Sequence, residues 1–215
     1  FSSCCPAWVR FVETKYPELM PHVSSCKSPM QMFAAVIREQ FRNEPKRHVH
    51  VALMPCTAKK REAVREEFRS SDGVQMVDHV LTTQEFVQMV KESGILLNKI
   101  QPEAIDLPFG TMAGAGVIFG TTGGVTEAVL RRISDNKRGT GIEYQSIRGL
   151  QGVKEVNIPY GETTLHIGVV SGLGNAEKLI DRIKAGEHFD FVEVMACPGG
   201  CINGAGQPFV HEAEK

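Results

Sequence analysis

"HVHVALMPCTAKKREAVREEF", residues 48–68, decides the fold class because its periodicity changes in mid-stretch. Residues 48–55 alternate and close in an apolar run, the pattern of a buried strand, whereas 57–68 carry charges of alternating sign at helical spacing. Thr57 stands where an N-cap would, and Cys56 falls on the connection, at the carboxyl end of the strand. The same alternation continues on both sides. Upstream, "MFAAVIREQF" (32–41) has apolar residues at helical spacing behind Pro29. Downstream, "MVDHVL" (76–81) predicts a strand, and "TTQEFVQMVKESG" opens with Thr82 and Glu85 spaced as a capping box and closes at Gly94. A glycine-rich run leads into a helix over about 122–133, and 138–152 read as a surface connection. "VKEVNIPYGETTLHIGVVSG" predicts a hairpin turning near Tyr160 and Gly161, with a second strand over 163–170. Asn175 is placed to cap a helix that Gly186 ends, and "FDFVEVM" (189–195) predicts another buried strand. The expected fold is α/β, a mostly parallel sheet with crossover helices. Ligands of such sheets sit beyond the carboxyl edge, where Cys56, Cys197 and Cys201 all follow strands.

The 215 residues are 42% hydrophobic and 23% charged with a net charge of -1, which fits one ordinary soluble domain or two small ones. Lys and Arg are scattered rather than banked on one face, so nucleic acid is not an expected partner. No apolar run reaches the length of a membrane span, and "FSSCCPAWVRF" lacks the make-up of a signal peptide, so the cytoplasm is the expected compartment. Phe1 is not an initiator Met and a cysteine pair follows at once, which predicts further sequence upstream. The glycines of "GTMAGAGVIFGTTGGVTEAVLRRI" fit neither phosphate-binding spacing, G-x-x-x-x-G-K-[ST] nor G-x-G-x-x-G. Close backbone approach to another bulky ligand, or tight helix packing, accounts for them better.

The six cysteines are Cys4, Cys5, Cys26, Cys56, Cys197 and Cys201. A chain this long does not need disulfide staples, and a bridge between neighbours Cys4 and Cys5 would be strained. Metal or redox chemistry is the better reading. Three distant segments offer thiols from loops: "SCCP" (3–6), "MPC" (54–56) and "MACPGGC" (195–201). Zinc sites come as paired short knuckles, and only one short pair exists here, so ligands this spread suit an iron–sulfur cluster wrapped by apolar loops. Cys26 lacks that context and reads as incidental. A zinc-binding α/β domain stays open as the plain alternative.

"SSCCPAW", "MPCTAKKRE" and "MACPGGCINGAGQP" resemble the three signature segments of the iron-only (FeFe) hydrogenases, in order and at appropriate separations. "GAGVIFGTTGGVTEAVLR" and "RGLQGVKE" resemble the same family, and the similarity spans essentially the whole chain. The resemblance implies part of a catalytic domain, residues 1–215, whose H-cluster joins a four-iron four-sulfur cubane to a di-iron unit bearing CO, cyanide and an azadithiolate. It implies Cys5, Cys56, Cys197 and Cys201 as cubane ligands, with Cys201 bridging to the di-iron unit. It implies Cys4 as first proton carrier and Ser24 as the next, with Lys59 hydrogen-bonded to a cyanide; Glu62, three residues on, is spaced to hold Lys59. Met54, Pro55, Met195, Phe119 and Gly120 would line the di-iron pocket.

Three departures stand out: Ala7 and Ala205 where family members commonly have glycine, and Met30 where a glutamine often contacts the cluster. The family also has an upstream half-domain that supplies relay glutamates and part of the pocket. The expected partners are therefore that half, or another subunit, and a ferredoxin-like or NAD-linked electron carrier or accessory iron–sulfur domains; the chain alone is expected to be inactive. A hydrogenase-like protein that binds only the cubane, as assembly factors and sensors do, is the rival reading.

Overall fold

A computed structural model describes residues 1–106, 109–110, 114–133, 152–160 and 162–209. The chain divides into two compact units, Ser3–Lys99 with Gly204–Lys215, and Phe1–Ser2 with Ile100–Asn203.

In the first of these, α1 (Pro6–Lys15), α2 (Pro29–Gln40), β1 (Val51–Met54), α3 (Ala58–Ala63), β2 (His79–Thr82) and α4 (Thr83–Glu92) follow one another, with short 3-10 turns between some of them. β1 and β2 pair in parallel from Val51↔His79 to Met54↔Thr82, with α3 as the crossover. One face of this pair packs Ala52 and Met54 against Met30, Ala34, Ala63, Val77 and Val80. Side chains alternate along a strand, so Val51 and Leu53 turn to the other face, where each is about half exposed. The strand expected to be buried is thus buried on one side only. It is also shorter than 48–55, because the His50 backbone is taken up by Asp78: its N–H donates to the carboxylate and its carbonyl accepts from Asp78 N and His79 N.

The helix expected over 57–68 breaks after Ala63. Arg65 is extended, with φ -68° and ψ 140°, and its guanidinium grips Glu13 of α1 as well as Glu67. Those hydrogen bonds from Arg65 hold the Glu13 carboxyl below its usual range. Thr57 stands at the N-cap position the spacing predicts, but with helical backbone angles and no side-chain capping bond. The capping box is present: Glu85 N donates to Thr82 Oγ1 at 3.2 Å and Thr82 N to Glu85 Oε2 at 2.8 Å. Gly94, at φ +68°, follows α4 in the left-handed region as expected.

The other unit holds α5 (Gly114–Ile118), α6 (Gly124–Ile133), β3 (Val153–Tyr160), β4 (Thr163–Ser171), α7 (Leu173–Lys184) and β5 (Phe191–Met195). β3 and β4 form the expected antiparallel hairpin, while β4 and β5 are parallel across α7. The turn residue Gly161 and residues 138–151 of the expected connection lie outside the described residues. Leu130 of α6 packs on Ile158, Ile167 and Val169 at one face of this sheet. Asn175 is not the cap of α7. The helix begins earlier, straight from Gly172 at φ +90°, and Asn175 Nδ2 instead donates to the Ser171 carbonyl at 2.7 Å. The fold is therefore α/β as predicted, carried among the described residues by two sheets whose parallel pairs are those with a helix between their strands. Among the described residues no helix is long and apolar enough to cross a membrane.

Replacing Thr82 by Ala removes the acceptor for the Glu85 N–H and should cost about 1 kcal/mol, read from the urea midpoint. Glu85 has its pKa lowered to about 2, chiefly by its hydrogen bond with Lys60 and then by the Thr82 backbone. Its contribution is complete above the ordinary carboxylate value of about 4.3 and is lost as pH falls toward about 2. Glu85→Gln should flatten that acid limb of the stability profile.

Candidate metal centre

Cys5 is the residue before Pro6 at the start of α1, where its carbonyl accepts from Val9 N at 3.0 Å. The fixed φ of a proline suits a first helical position, so "CCP" sets the chain direction at which Cys5 is buried and Cys4 half-buried. Cys56 leaves the carboxyl end of β1 as the sequence predicts. Its backbone is pressed by Gly206: a Cβ there would lie 2.7 Å from Cys56 N and 2.9 Å from Pro55 C, so only glycine fits. Gly206 N donates to the Pro55 carbonyl at 3.1 Å, and its own carbonyl accepts from Gln84 N at 2.9 Å. Ala205 is exposed, which is why its methyl group is accommodated beside so tight a contact.

One turn beyond Cys56, the apparently solvent-facing run turns inward. Lys59 is 7% and Glu62 3% exposed. Lys59 Nζ donates to Glu62 Oε2 at 2.8 Å and to the Cys4 carbonyl at 3.2 Å. Ser28 Oγ donates to the same carboxylate oxygen at 3.1 Å and, as N-cap of α2, lies 3.4 Å from Gln31 N. The sequence reading has Glu62 holding Lys59, and the geometry has both; Ser28 it missed, although a Ser before Pro29 is a legible cap. Ser24 Oγ accepts from Cys26 N at 3.2 Å as a turn residue would, and it lines a cavity of about 230 Å³ that Ser3, Cys26, Glu62 and Arg65 also line. Cys26 is exposed. Met30 belongs to the apolar core, and it is Gln31, fully buried, whose side-chain amide has no hydrogen-bond partner.

In the other unit β5 ends at Met195, 2% exposed, and delivers Cys197 and Cys201 on a loop. Gly199 N donates to Ser171 Oγ at 3.0 Å, and Gly172 N to the Met195 carbonyl at 2.7 Å. Phe119 and Gly120 lie in the turn after α5. The Gly120 carbonyl accepts from Ile202 N at 2.9 Å. A Cβ on Gly200 would meet Thr122 N at 2.6 Å and the Gly120 carbonyl at 2.7 Å, and Gly200 itself has φ +96°. Two glycine-bearing loops are thus seated on each other, backbone against backbone at Gly200.

All six cysteines carry thiols rather than disulfides. Soft sulfur donors on loops, with a buried ammonium on the Cys4 carbonyl, fit an anionic iron–sulfur group better than a plain zinc knuckle. Among the described residues, Glu155, His166 and Glu187 are the group of metal-ligand types whose donor atoms lie close together. Its two carboxylates already grip the Arg182 guanidinium, so a cation is in place there.

Lys59 and Glu62 can be tested by a double-mutant cycle. Lys59→Met alone leaves a buried carboxylate without its cation and should cost about 3–5 kcal/mol in urea unfolding. The pair Lys59→Met with Glu62→Gln should recover much of that loss.

The matching family is the iron only hydrogenase large subunit, C-terminal domain, over residues 1–205. The NADP-reducing hydrogenase subunit HndD of Solidesulfovibrio fructosivorans is 43% identical over 98% of this chain, which spans 37% of that relative. The periplasmic Fe hydrogenase large subunit of Nitratidesulfovibrio vulgaris is 42% identical over 97% of the chain and 51% of its own length. The cytosolic Fe-S cluster assembly factor narfl of Xenopus tropicalis is 32% identical over 96% of the chain and 46% of its length. Among solved structures, an apo FeFe hydrogenase HydA1 variant from Chlamydomonas reinhardtii superposes with a TM-score of 0.80 at 40% identity, covering 99% of this chain and 62% of that one. The chain spans about 37–51% of the length of these curated relatives. The fold, the thiol-bearing loops and the match over residues 1–205 place this chain in the iron-only hydrogenase large-subunit family, in its C-terminal H-cluster domain.

Proposed function

We propose that this chain is the H-cluster-bearing part of an iron-only hydrogenase and serves the reversible oxidation of hydrogen to protons and electrons. The observation that carries the reading is Lys59, an ammonium 7% exposed and seated against the Cys4 carbonyl and Glu62. A protein that holds only a cubane needs thiolates and has no evident use for a buried cation there. A site that takes anionic cyanide ligands does.

In this reading Cys5, Cys56, Cys197 and Cys201 would hold the cubane of a group that also carries a di-iron CO, cyanide and azadithiolate unit, with Cys201 serving both parts. That group supplies the bond chemistry of hydrogen and the storage of electrons. The polypeptide binds, insulates and moves protons. A thiol of ordinary pKa about 8.5 exchanges a proton near neutrality at low cost, which suits Cys4 as first carrier, with Ser24 next. Lys59, held by Glu62 and the Cys4 carbonyl, would offer its remaining N–H to a cyanide, while Met54, Pro55, Met195, Phe119 and Gly120 would exclude water. Residues 1–215 are then part of one H-cluster domain. Its partners are the upstream half of that domain or another subunit, and a ferredoxin-like or NAD-linked carrier or accessory iron–sulfur domains. The exposed Val51 and Leu53 face supports a protein partner of that kind. Six cysteine thiols suit the reducing cytoplasm as compartment.

The second reading, a cubane-only assembly protein, draws on the likeness to the assembly factor narfl. Reconstitution separates the two. The chain with iron and sulfide should turn brown, and Cys56→Ser or Cys197→Ser should abolish the colour. Adding a synthetic di-iron complex should then produce CO and cyanide infrared bands; a cubane without those bands favours the assembly reading. Hydrogen evolution should need the upstream half supplied in trans or in line. With that half present, Cys4→Ser should keep the bands and lose nearly all turnover, because a hydroxyl is far less acidic than a thiol. Turnover near that of the unaltered protein would remove Cys4 from the relay.

A further inference from the structure

Glu193 is a carboxylate with no role in the reading above, and it is completely buried in the middle of β5. Its neighbours explain how that is sustained. Oε1 accepts from Gly123 N at 2.7 Å, and Oε2 accepts from both Thr126 N and Thr126 Oγ1 at 2.7 Å. Gly123 immediately precedes α6 and Thr126 lies in its first turn, whose N–H groups have no partner within the helix. Both oxygens therefore receive N–H donors at a helix N-terminus, an arrangement made for an anion. Burial works against the charge and pushes the carboxyl above its usual range, while the same three donors pull it back.

The consequence lies in what the clamp joins. Phe191, Glu193 and Met195 share one face of β5 by strand alternation, and two residues after Met195 comes Cys197. On the other side of the clamp, the segment immediately before Gly123 is the one that receives the cysteine loop. The Gly120 carbonyl accepts from Ile202 N, Thr122 N lies 3.4 Å from the Gly199 carbonyl, and Gly200 has no room for a Cβ against Thr122 and Gly120. The 197–201 loop thus leaves β5, turns, and is seated on a segment that Glu193 ties back to β5.

We infer that Glu193 is a positioning residue of the cluster site: by clamping the start of α6 to β5, its carboxylate fixes the 119–124 segment that sets where Cys197 and Cys201 stand. The inference rests on the cluster reading above and touches no reacting atom. Groups that orient a metal's ligands from behind change its retention by about 10–100-fold when removed, and the same scale applies here.

The test uses the full chain, reconstituted with iron and sulfide, and three variants. Glu193→Gln keeps the shape but turns an amide N–H₂ toward an N–H donor. It should speed chelator-driven loss of the cubane about tenfold and alter the EPR spectrum of the reduced cluster, which reports the conformation of its cysteine ligands. In the apo chain, amide exchange should rise at 119–126 and at 197–201. Leu130→Ala is the control, since it loosens the core of the same unit without touching the clamp. It should retain the cluster and its spectrum as the unaltered chain does. Equal acceleration in both variants would make Glu193 merely structural, and no acceleration in Glu193→Gln would also overturn the inference. Should Glu193→Gln fail to fold, Thr126→Val, which removes only the Oγ1 donor, decides by the same two outcomes at smaller amplitude. A chain that takes up no cubane in any form sinks the cluster reading instead, and the exchange measurement still decides the clamp.

Discussion

Parallel pairing constrains everything else in this chain. Two parallel strands cannot be joined by a tight turn, so the chain leaves each strand at one edge and returns through a helix. β1 and β2 do this through α3, and β4 and β5 through α7. The residues that follow the strands are therefore delivered at the carboxyl edge of each pair, and those residues are Pro55 and Cys56 in one unit and the 196–201 loop in the other. Had β1 been followed by a hairpin, the next two residues would have been committed to turn geometry. A crossover leaves them available for ligation.

What makes the exits suitable for chemistry is the treatment of polar groups behind them. Each unit has a buried charge close to a thiol-bearing loop, held by hydrogen bonds. In the first, the Lys59 ammonium has a carboxylate at 2.8 Å and a carbonyl at 3.2 Å. In the second, the Glu193 carboxylate has three donors at 2.7 Å. An unpaired charge in either place would cost several kcal/mol and would be relieved by protonation change or by opening the loop. The glycines complete the arrangement. Gly206 against Cys56 and Gly200 against Thr122 bring backbone to backbone at distances that exclude a side chain, which turns flexible residue types into fixed contacts.

Most of the element order was legible because it depends on local signals. The Thr82 and Glu85 capping box, the closing glycines and the hairpin of β3 and β4 are written in adjacent residues, and the thiol positions follow from strand ends. What was not legible depends on partners distant in sequence. Nothing in "AKKREAVREEF" announces that Arg65 leaves the helix for Glu13, 52 positions earlier. Nothing near Asn175 says that Gly172 will start α7 early. Glu193 lies in a run that reads simply as a buried strand, and a single charged residue there was the available signal: a carboxylate flanked by Val192 and Val194 must have donors somewhere. The H-cluster assignment itself came from resemblance, not from spacing alone, since thiols this far apart do not name their metal.

The departure at Met30 shows how far resemblance carries and where packing takes over. A methionine in place of a glutamine looks like a lost polar contact. Here Met30 is 7% exposed among Ala34, Ala63, Val77 and Val80, so it is a core side chain of the β1 and β2 layer. The next residue, Gln31, is fully buried with both amide atoms unpaired, which costs about 1–3 kcal/mol for each unmet group. On a helix the two positions lie roughly 100° apart, so they serve different surroundings. One of them contributes hydrophobic stabilisation, and the other keeps an amide out of water at a cost that the core alone does not repay. Polarity in this segment has therefore not vanished with the substitution; it resides at Gln31, one position along α2.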